Sequence, residues 1–143
     1  CATAIQAQMK EAGVNFKVEH GDSAAWTDMK ANGGVMCGIG NWYVDYNDPD
    51  SMLYPVSDGR VDLNSIFWHN DEFKQLMIDG VQTDDDAERQ EIYARADEIL
   101  THEDFAVAML YNETMFYLKK PYVENFEVTF TYRTMFKDTD IVQ

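Results

Sequence analysis

Residues 35–42 read Val-Met-Cys-Gly-Ile-Gly-Asn-Trp, a run almost continuously apolar or small. Such a run, bounded by turn residues, has the pattern of a strand covered on both faces. Upstream, Val14, Phe16 and Val18 alternate with Asn15, Lys17 and Glu19, the period-two pattern of a strand with one buried face. Between the two, Gly21-Asp22-Ser23 supplies a turn and capping oxygens, Trp26 and Met29 mark a short helix, and Asn32-Gly33-Gly34 ends it. Strand, helix and strand in this order predict a β-α-β unit with two parallel strands and a right-handed crossover. A further helix precedes it, with Ile5, Met9 and Ala12 at helical spacing and Gly13 as the stop. The fold class read from these segments is α/β.

The next stretch, residues 44–70, is rich in Asp, Asn, Pro, Ser and Gly and keeps no period, so it reads as a long loop with a short helix near Met52 and Tyr54. Two amphipathic helices follow, one marked by Phe73, Leu76, Met77 and Val81, the other by Ile92, Tyr93, Ala96, Ile99 and Leu100. Asp84-Asp85-Asp86 precedes the second, where negative charge suits the positive end of the helix dipole, and Asp85 with Glu88 has capping-box spacing. Residues 106–111, 115–118 and 126–130 then read as strands, with Lys119-Lys120-Pro121 as a break. No internal repeat and no low-complexity tract interrupts the order.

Charge narrows the partners. The chain has 143 residues with 11 basic and 26 acidic side chains, a formal charge of −15. A surface with that balance repels a polyanion, which argues against nucleic acid and against anionic membranes as partners. No apolar run is long enough to span a bilayer, and the start lacks the pattern of a signal peptide. Cys1 and Cys37 are too few for a disulfide framework or a four-thiolate zinc site and can form at most one bridge. A lipid-carrying Cys1 would precede a flexible tether, whereas the residues after it are helical in pattern.

Chemistry concentrates in Asn41-Trp42-Tyr43-Val44-Asp45-Tyr46-Asn47-Asp48-Pro49-Asp50. Three aromatics and three carboxylates stand there at the C-terminal end of the expected buried strand, the edge where open α/β sheets bind ligands. A carboxylate among aromatic rings pairs well with a cation, so an amine-bearing ligand fits. The competing structural reading makes Trp42 and Tyr46 core, Asp45 a turn cap, and Asp48 and Asp50 the start of the short helix. A calcium loop begun at Asp45 fails, because Pro49 falls on a ligand position, Asp50 on the glycine position and Val56 on the bidentate glutamate. An Asp45–Asp48 pair as acid and base of a hydrolase has only composition behind it. His20, His69 and His102 are far apart, no nucleophile elbow is present, and Gly38 and Gly40 lack the third glycine of a dinucleotide loop. Cys37, inside the expected buried strand, reads as inert filling. No catalytic residue, metal site or cofactor is assigned.

The segment from Trp42 to Asp50 resembles the W-x-A-D-Y-x-D-P-x motif of the family 5 solute-binding proteins, the extracytoplasmic peptide and nickel receptors of ABC importers. The likeness keeps its order along the chain. Residues 8–18 are similar to the family's helix and "AGI-x-V" strand, and Trp26 stands where a tryptophan follows that strand. Asn70-Asp71-Glu72-Phe73-Lys74 resembles "N-P-E-F-D", Glu88-Arg89-Gln90-Glu91-Ile92-Tyr93 resembles "E-R-x-x-L-Y", and residues 118–123 resemble "V-K-P-x-V". Val44 departs from the motif's small residue, and residues 106–111 lack the prolines of "P-x-I-P-L-Y".

The resemblance implies a periplasmic-binding-protein-like lobe with a small mixed sheet and flanking helices. Family members are several-fold longer, so the chain corresponds to their C-terminal portion: residues 1–125 as ligand-binding second lobe, residues 126–143 as a tail returning to the first lobe. The implied function is capture of di- or oligopeptides, without catalysis, for a membrane ABC permease. Asp45 would take the ligand's α-amino group, Trp42, Tyr43 and Val44 would line the pocket, and Trp26 would lie near the cleft. A nickel chelate or another cationic solute is the alternative ligand. The implied location is extracytoplasmic, either periplasmic or as a surface lipoprotein.

Overall fold

A computed structural model of the chain describes residues 1–57 and 67–142. The middle of the long loop expected over residues 44–70 therefore lies outside the described residues. Two compact units are present. The first contains Cys1–Asn41 with Phe67, and the second contains residues 42–57 and 68–142.

In the first unit, helix α1 (Ala2–Glu11) and helix α2 (Ser23–Ala31) begin and end where the sequence places their signals. Asp22 caps α2, its carboxylate accepting from the Ala25 amide at 2.8 Å. Both helices close on a left-handed glycine, Gly13 at φ +85° and Gly33 at φ +64°. The residue after each glycine donates back across the last turn, Val14 to the Met9 carbonyl at 2.8 Å and Gly34 to that of Met29 at 2.9 Å.

The two expected strands differ from the structure. Neither residues 14–18 nor residues 35–42 join a ladder, so the parallel β-α-β unit is not formed by the described residues. Strand structure requires a neighbour to satisfy alternate backbone groups, and neither segment finds one here. Nor are residues 35–42 covered on both faces: Met36 is 98% exposed and Ile39 45%. Cys37, expected as buried filling, is exposed, and both cysteines are free thiols. No described side chain of this unit is buried.

The second unit holds the core. Helix α3 (Pro49–Leu53) runs into a 3-10 turn (Tyr54–Val56), and α4 (Asp71–Gln82) and α5 (Asp86–Glu98) form an antiparallel pair, with a π-helical turn (Ile99–Glu103) extending α5. Phe73 and Met77 of α4 and Tyr93 and Ala96 of α5 are buried together with Leu53, Ile99 and Leu100. Each large side chain fully buried there contributes roughly 1.5–3 kcal/mol. Caps follow the sequence: Asn70 accepts from the Phe73 amide at 2.9 Å, and Asp85 accepts from the Ala87 and Glu88 amides at 3.0 and 2.9 Å.

After α5 the chain departs again from expectation. Residues 106–111 and 115–118 form no strands, and of residues 126–130 only two pair. The observed strands are β1 (Val123–Glu124), β2 (Glu127–Val128), β3 (Thr134–Met135) and β4 (Asp140–Ile141). β1 pairs antiparallel with β4 and β2 with β3, so one short hairpin nests inside another. The molecule is thus a mixture of helices and small antiparallel sheets. Phe116 and Leu118 are 89% and 105% exposed, which is why alternation alone misplaced the strands there: no packed face opposes them.

Candidate functional site

Helix α3 organises the segment from Trp42 to Asp50. Pro49 occupies its first turn, where a missing N–H costs nothing, and Asp48 caps it by accepting from the Asp50 amide at 2.9 Å. Ser51, on α3 and fully buried, then fastens the preceding loop. Its hydroxyl oxygen accepts from the Asp45 amide at 2.8 Å and lies 3.4 Å from the Tyr46 amide, while its carbonyl accepts from the Trp42 indole at 2.7 Å. The loop backbone is therefore held on both sides of Asp45.

Two aromatics of the segment pack on Tyr54. Trp42 meets Tyr54 edge-on, 5.7 Å between centroids, and Tyr46 stacks parallel to Tyr54 at 6.5 Å. The Tyr54 hydroxyl donates to Asp45 Oδ2 at 3.0 Å, and the Tyr46 hydroxyl donates to the buried carboxylate of Asp50. Asp45 Oδ1 accepts from Arg133 Nη2 at 3.2 Å, the two side chains 44% and 69% exposed. Tyr43 packs on Tyr132 at 4.9 Å, and its hydroxyl donates to Glu113, whose backbone carbonyl accepts from the Tyr132 hydroxyl at 2.7 Å.

Asp48 has a second tie, and it is the strongest charge pair of the segment. Arg89 of α5 grips its carboxylate with both Nη atoms, at 2.7 and 2.9 Å, and its Nε donates to the Gly80 carbonyl at 2.7 Å. Nη2 also reaches the Tyr93 hydroxyl at 3.2 Å, and the guanidinium stands 5.0 Å from that ring's centroid. The Arg89 hydrogen bonds hold the Asp48 carboxyl below its ordinary range, whereas burial pushes the Tyr93 phenol up. With Arg89 and the Asp50 amide upon it, Asp48 is committed to structure. An acid–base pair with Asp45 would need that carboxylate released.

Trp42, Tyr43, Val44 and Asp45 lie together in the second unit, and Trp26 belongs to the first. There Trp26 is half-buried, with Gly38 pressed so close that a β-carbon would fall 2.1 Å from the ring. The residues that sequence reasoning missed are Ser51, Tyr54, Arg89 and Arg133. Arg89 had a signal, as the arginine of the "E-R-x-x-L-Y" match, but nothing local tied it to an aspartate 41 residues away. A shallow groove of about 330 Å³ opens between residues 113–117 and the β2–β3 hairpin, and Asp45 is not among its lining residues. No group of three or more metal-ligating side chains occurs among the described residues.

No family model matches the chain. Among curated proteins, the periplasmic oligopeptide-binding protein OppA of Salmonella typhimurium is 29% identical over 114 residues, 80% of this chain and 21% of the relative. The probable D,D-dipeptide-binding periplasmic protein DdpA of Escherichia coli is 28% identical over 69% of the chain and 20% of its own length. The oligopeptide-binding protein OppA of Bacillus subtilis is 28% identical over 77% and 20%. The chain thus spans about a fifth of the length of the curated relatives it matches. These relatives are periplasmic and oligopeptide-binding proteins, and the chain is similar to a segment of them.

Proposed function

We propose that this chain is the ligand-facing portion of the second lobe of an extracytoplasmic receptor that captures peptides for an ABC permease. The observation that carries the reading is Asp45: its backbone is fastened by Ser51, its Oδ2 is held by Tyr54, whose ring meets those of Trp42 and Tyr46, and its Oδ1 takes a single contact from the exposed Arg133. A ligand's α-ammonium meets there a charge-assisted acceptor beside aromatic surface. Trp42, Tyr43 and Val44 form pocket wall, and Trp26, in the other unit, is the further ligand-binding candidate that the resemblance implies. The relatives' names are those of binding proteins, and the Asp45 site works as a binding site, with no bond made or broken.

In this reading residues 1–125 belong to the second lobe, and residues 126–143 lead back to the first by way of the β2–β3 hairpin, whose turn stays docked on the Asp45 loop. Residues 14–18 and 35–42 complete a parallel pair within the sheet of the assembled receptor. Ligand binding closes the two lobes, and the closed form is what the permease recognises. The chain alone offers half a cleft, so its own affinity falls in the millimolar range, about −4 kcal/mol.

Amide spectra of the chain, titrated with a mixture of di- to pentapeptides and separately with a nickel chelate, test the reading. Peptide-dependent shifts around residues 42–54 that vanish in Asp45→Ala are expected. Shifts that persist in the variant, or that appear only with nickel, remove Asp45 as the ammonium site.

A further inference from the structure

Resting on the reading of Asp45 as an ammonium site, we propose that Arg133 is a resident cation that holds Asp45 Oδ1 in the unliganded protein and that a ligand's ammonium must displace. Arg133 comes from the far end of the chain, 88 residues beyond Asp45, and the fold goes to some length to deliver it. It sits at the end of the turn that joins β2 to β3, where its carbonyl accepts from the Thr129 amide at 2.9 Å and its amide reaches the Thr129 hydroxyl at 3.2 Å. Tyr132, next to it, takes the left-handed conformation at φ +59°, unusual for an aromatic residue. That turn is docked by the Tyr132 ring on Tyr43 and by its hydroxyl on the Glu113 carbonyl. The side chain placed before Asp45 is therefore positioned by a hairpin fixed to the same loop.

The contact itself is built to be given up. It is a single N–H to Oδ1 at 3.2 Å, and the Arg133 side chain is 69% exposed. Arg89, by contrast, grips Asp48 through two nitrogens with both side chains three-quarters covered. One carboxylate is locked and its neighbour three residues earlier is lightly occupied. A primary ammonium competes for Oδ1 while Tyr54 keeps Oδ2, so the carboxylate never loses its orientation. Arg133 consequently sets how strong a cation must be to enter, which makes it a determinant of affinity and selectivity.

The test uses trialanine as probe and the full chain as wild type, Arg133→Gln, Arg133→Lys and Asp45→Asn, each checked for unchanged helix content. Arg133→Gln is expected to bind trialanine about two- to fivefold more tightly than wild type, as removal of a weak exposed ion pair implies, with Arg133→Lys close to wild type. In arginine-labelled protein, the Arg133 Nε–H signal is expected to move on adding trialanine toward its position in Asp45→Asn. Equal or weaker binding by Arg133→Gln, or an Arg133 signal indifferent to trialanine, overturns the proposal while leaving Asp45 as the ammonium site. Undiminished binding by Asp45→Asn overturns both.

Discussion

Replacing Arg89 by methionine removes the guanidinium while keeping a long apolar stem against Tyr93. Four hydrogen bonds go with it: two to Asp48 at 2.7 and 2.9 Å, one to the Gly80 carbonyl at 2.7 Å and one to the Tyr93 hydroxyl at 3.2 Å. Hydrogen bonds to charged groups are worth about 1.5–3 kcal/mol each but share donors here, so they do not sum. The larger cost is what remains, since the Asp48 side chain is only 24% exposed and keeps its charge without its partner. Breaking one side of a mostly covered pair puts the loss at roughly 3 kcal/mol.

Urea unfolding followed by the helical signal of α4 and α5 reads this as a lower midpoint at unchanged slope. A double-mutant cycle with Asp48→Asn isolates the pair, with an expected coupling of about 2 kcal/mol. The pH dependence supplies an independent sign. Because the folded Asp48 carboxyl is held down by Arg89, its contribution is complete above the unfolded value near 4 and is lost as pH falls through the folded value. Asp48→Asn should therefore match wild type more closely at pH 3 than at pH 7. A loss under about 1 kcal/mol for Arg89→Met at pH 7, or a coupling near zero, would refute the assignment.

Two further expectations concern packing. In Gly80→Ala a β-carbon would lie 2.7 Å from Tyr93 Cζ, so overpacking outweighs the gain in helix propensity and stability falls by about 1–3 kcal/mol, readable in the same urea titration. Amide hydrogen exchange should separate the units, with protection in α4 and α5 near the global value and little in residues 14–22 and 35–41, which have neither ladder nor buried side chains. Protection of residues 35–41 equal to that of α5 would mean that a parallel strand pair forms in this chain after all.

The helices were legible because their signals are local. Asp22, Asp48, Asn70 and Asp85 cap within three residues, and Gly13 and Gly33 stop helices through their own backbone conformation. Strands were not, because a strand is a property of two segments and the sequence of one says nothing about whether the other is present. Residues 35–42 carry the composition of a buried strand and have no strand partner among the described residues, whereas β1 and β4, two residues each, carry almost no pattern and pair.

The site divides in the same way. Asp45 among its aromatics lies within one ten-residue window, and the short helix that frames it was expected near Met52 and Tyr54, a few residues after its observed start at Pro49. The partners that fix its chemistry arrive from afar, Arg89 on α5 and Arg133 on the β2–β3 turn, and no spacing rule reaches across 41 or 88 residues. Ser51 was within reach but silent, since a buried serine that holds a loop looks in sequence like any serine of a short helix.

The central claim is that Asp45 reads the charge of a ligand's amino terminus, and the most direct measurement titrates the chain with trialanine and with N-acetyl-trialanine, in wild type and Asp45→Asn. The two peptides differ only at the amino terminus, and Asp45 is partly exposed, with an asparagine there still able to accept from Tyr54, so the substitution costs at most about 1 kcal/mol. Wild type should bind trialanine and discriminate against the acetylated peptide, and Asp45→Asn should lose that discrimination. Equal binding of the two peptides by wild type, or discrimination that survives in Asp45→Asn, would contradict the account.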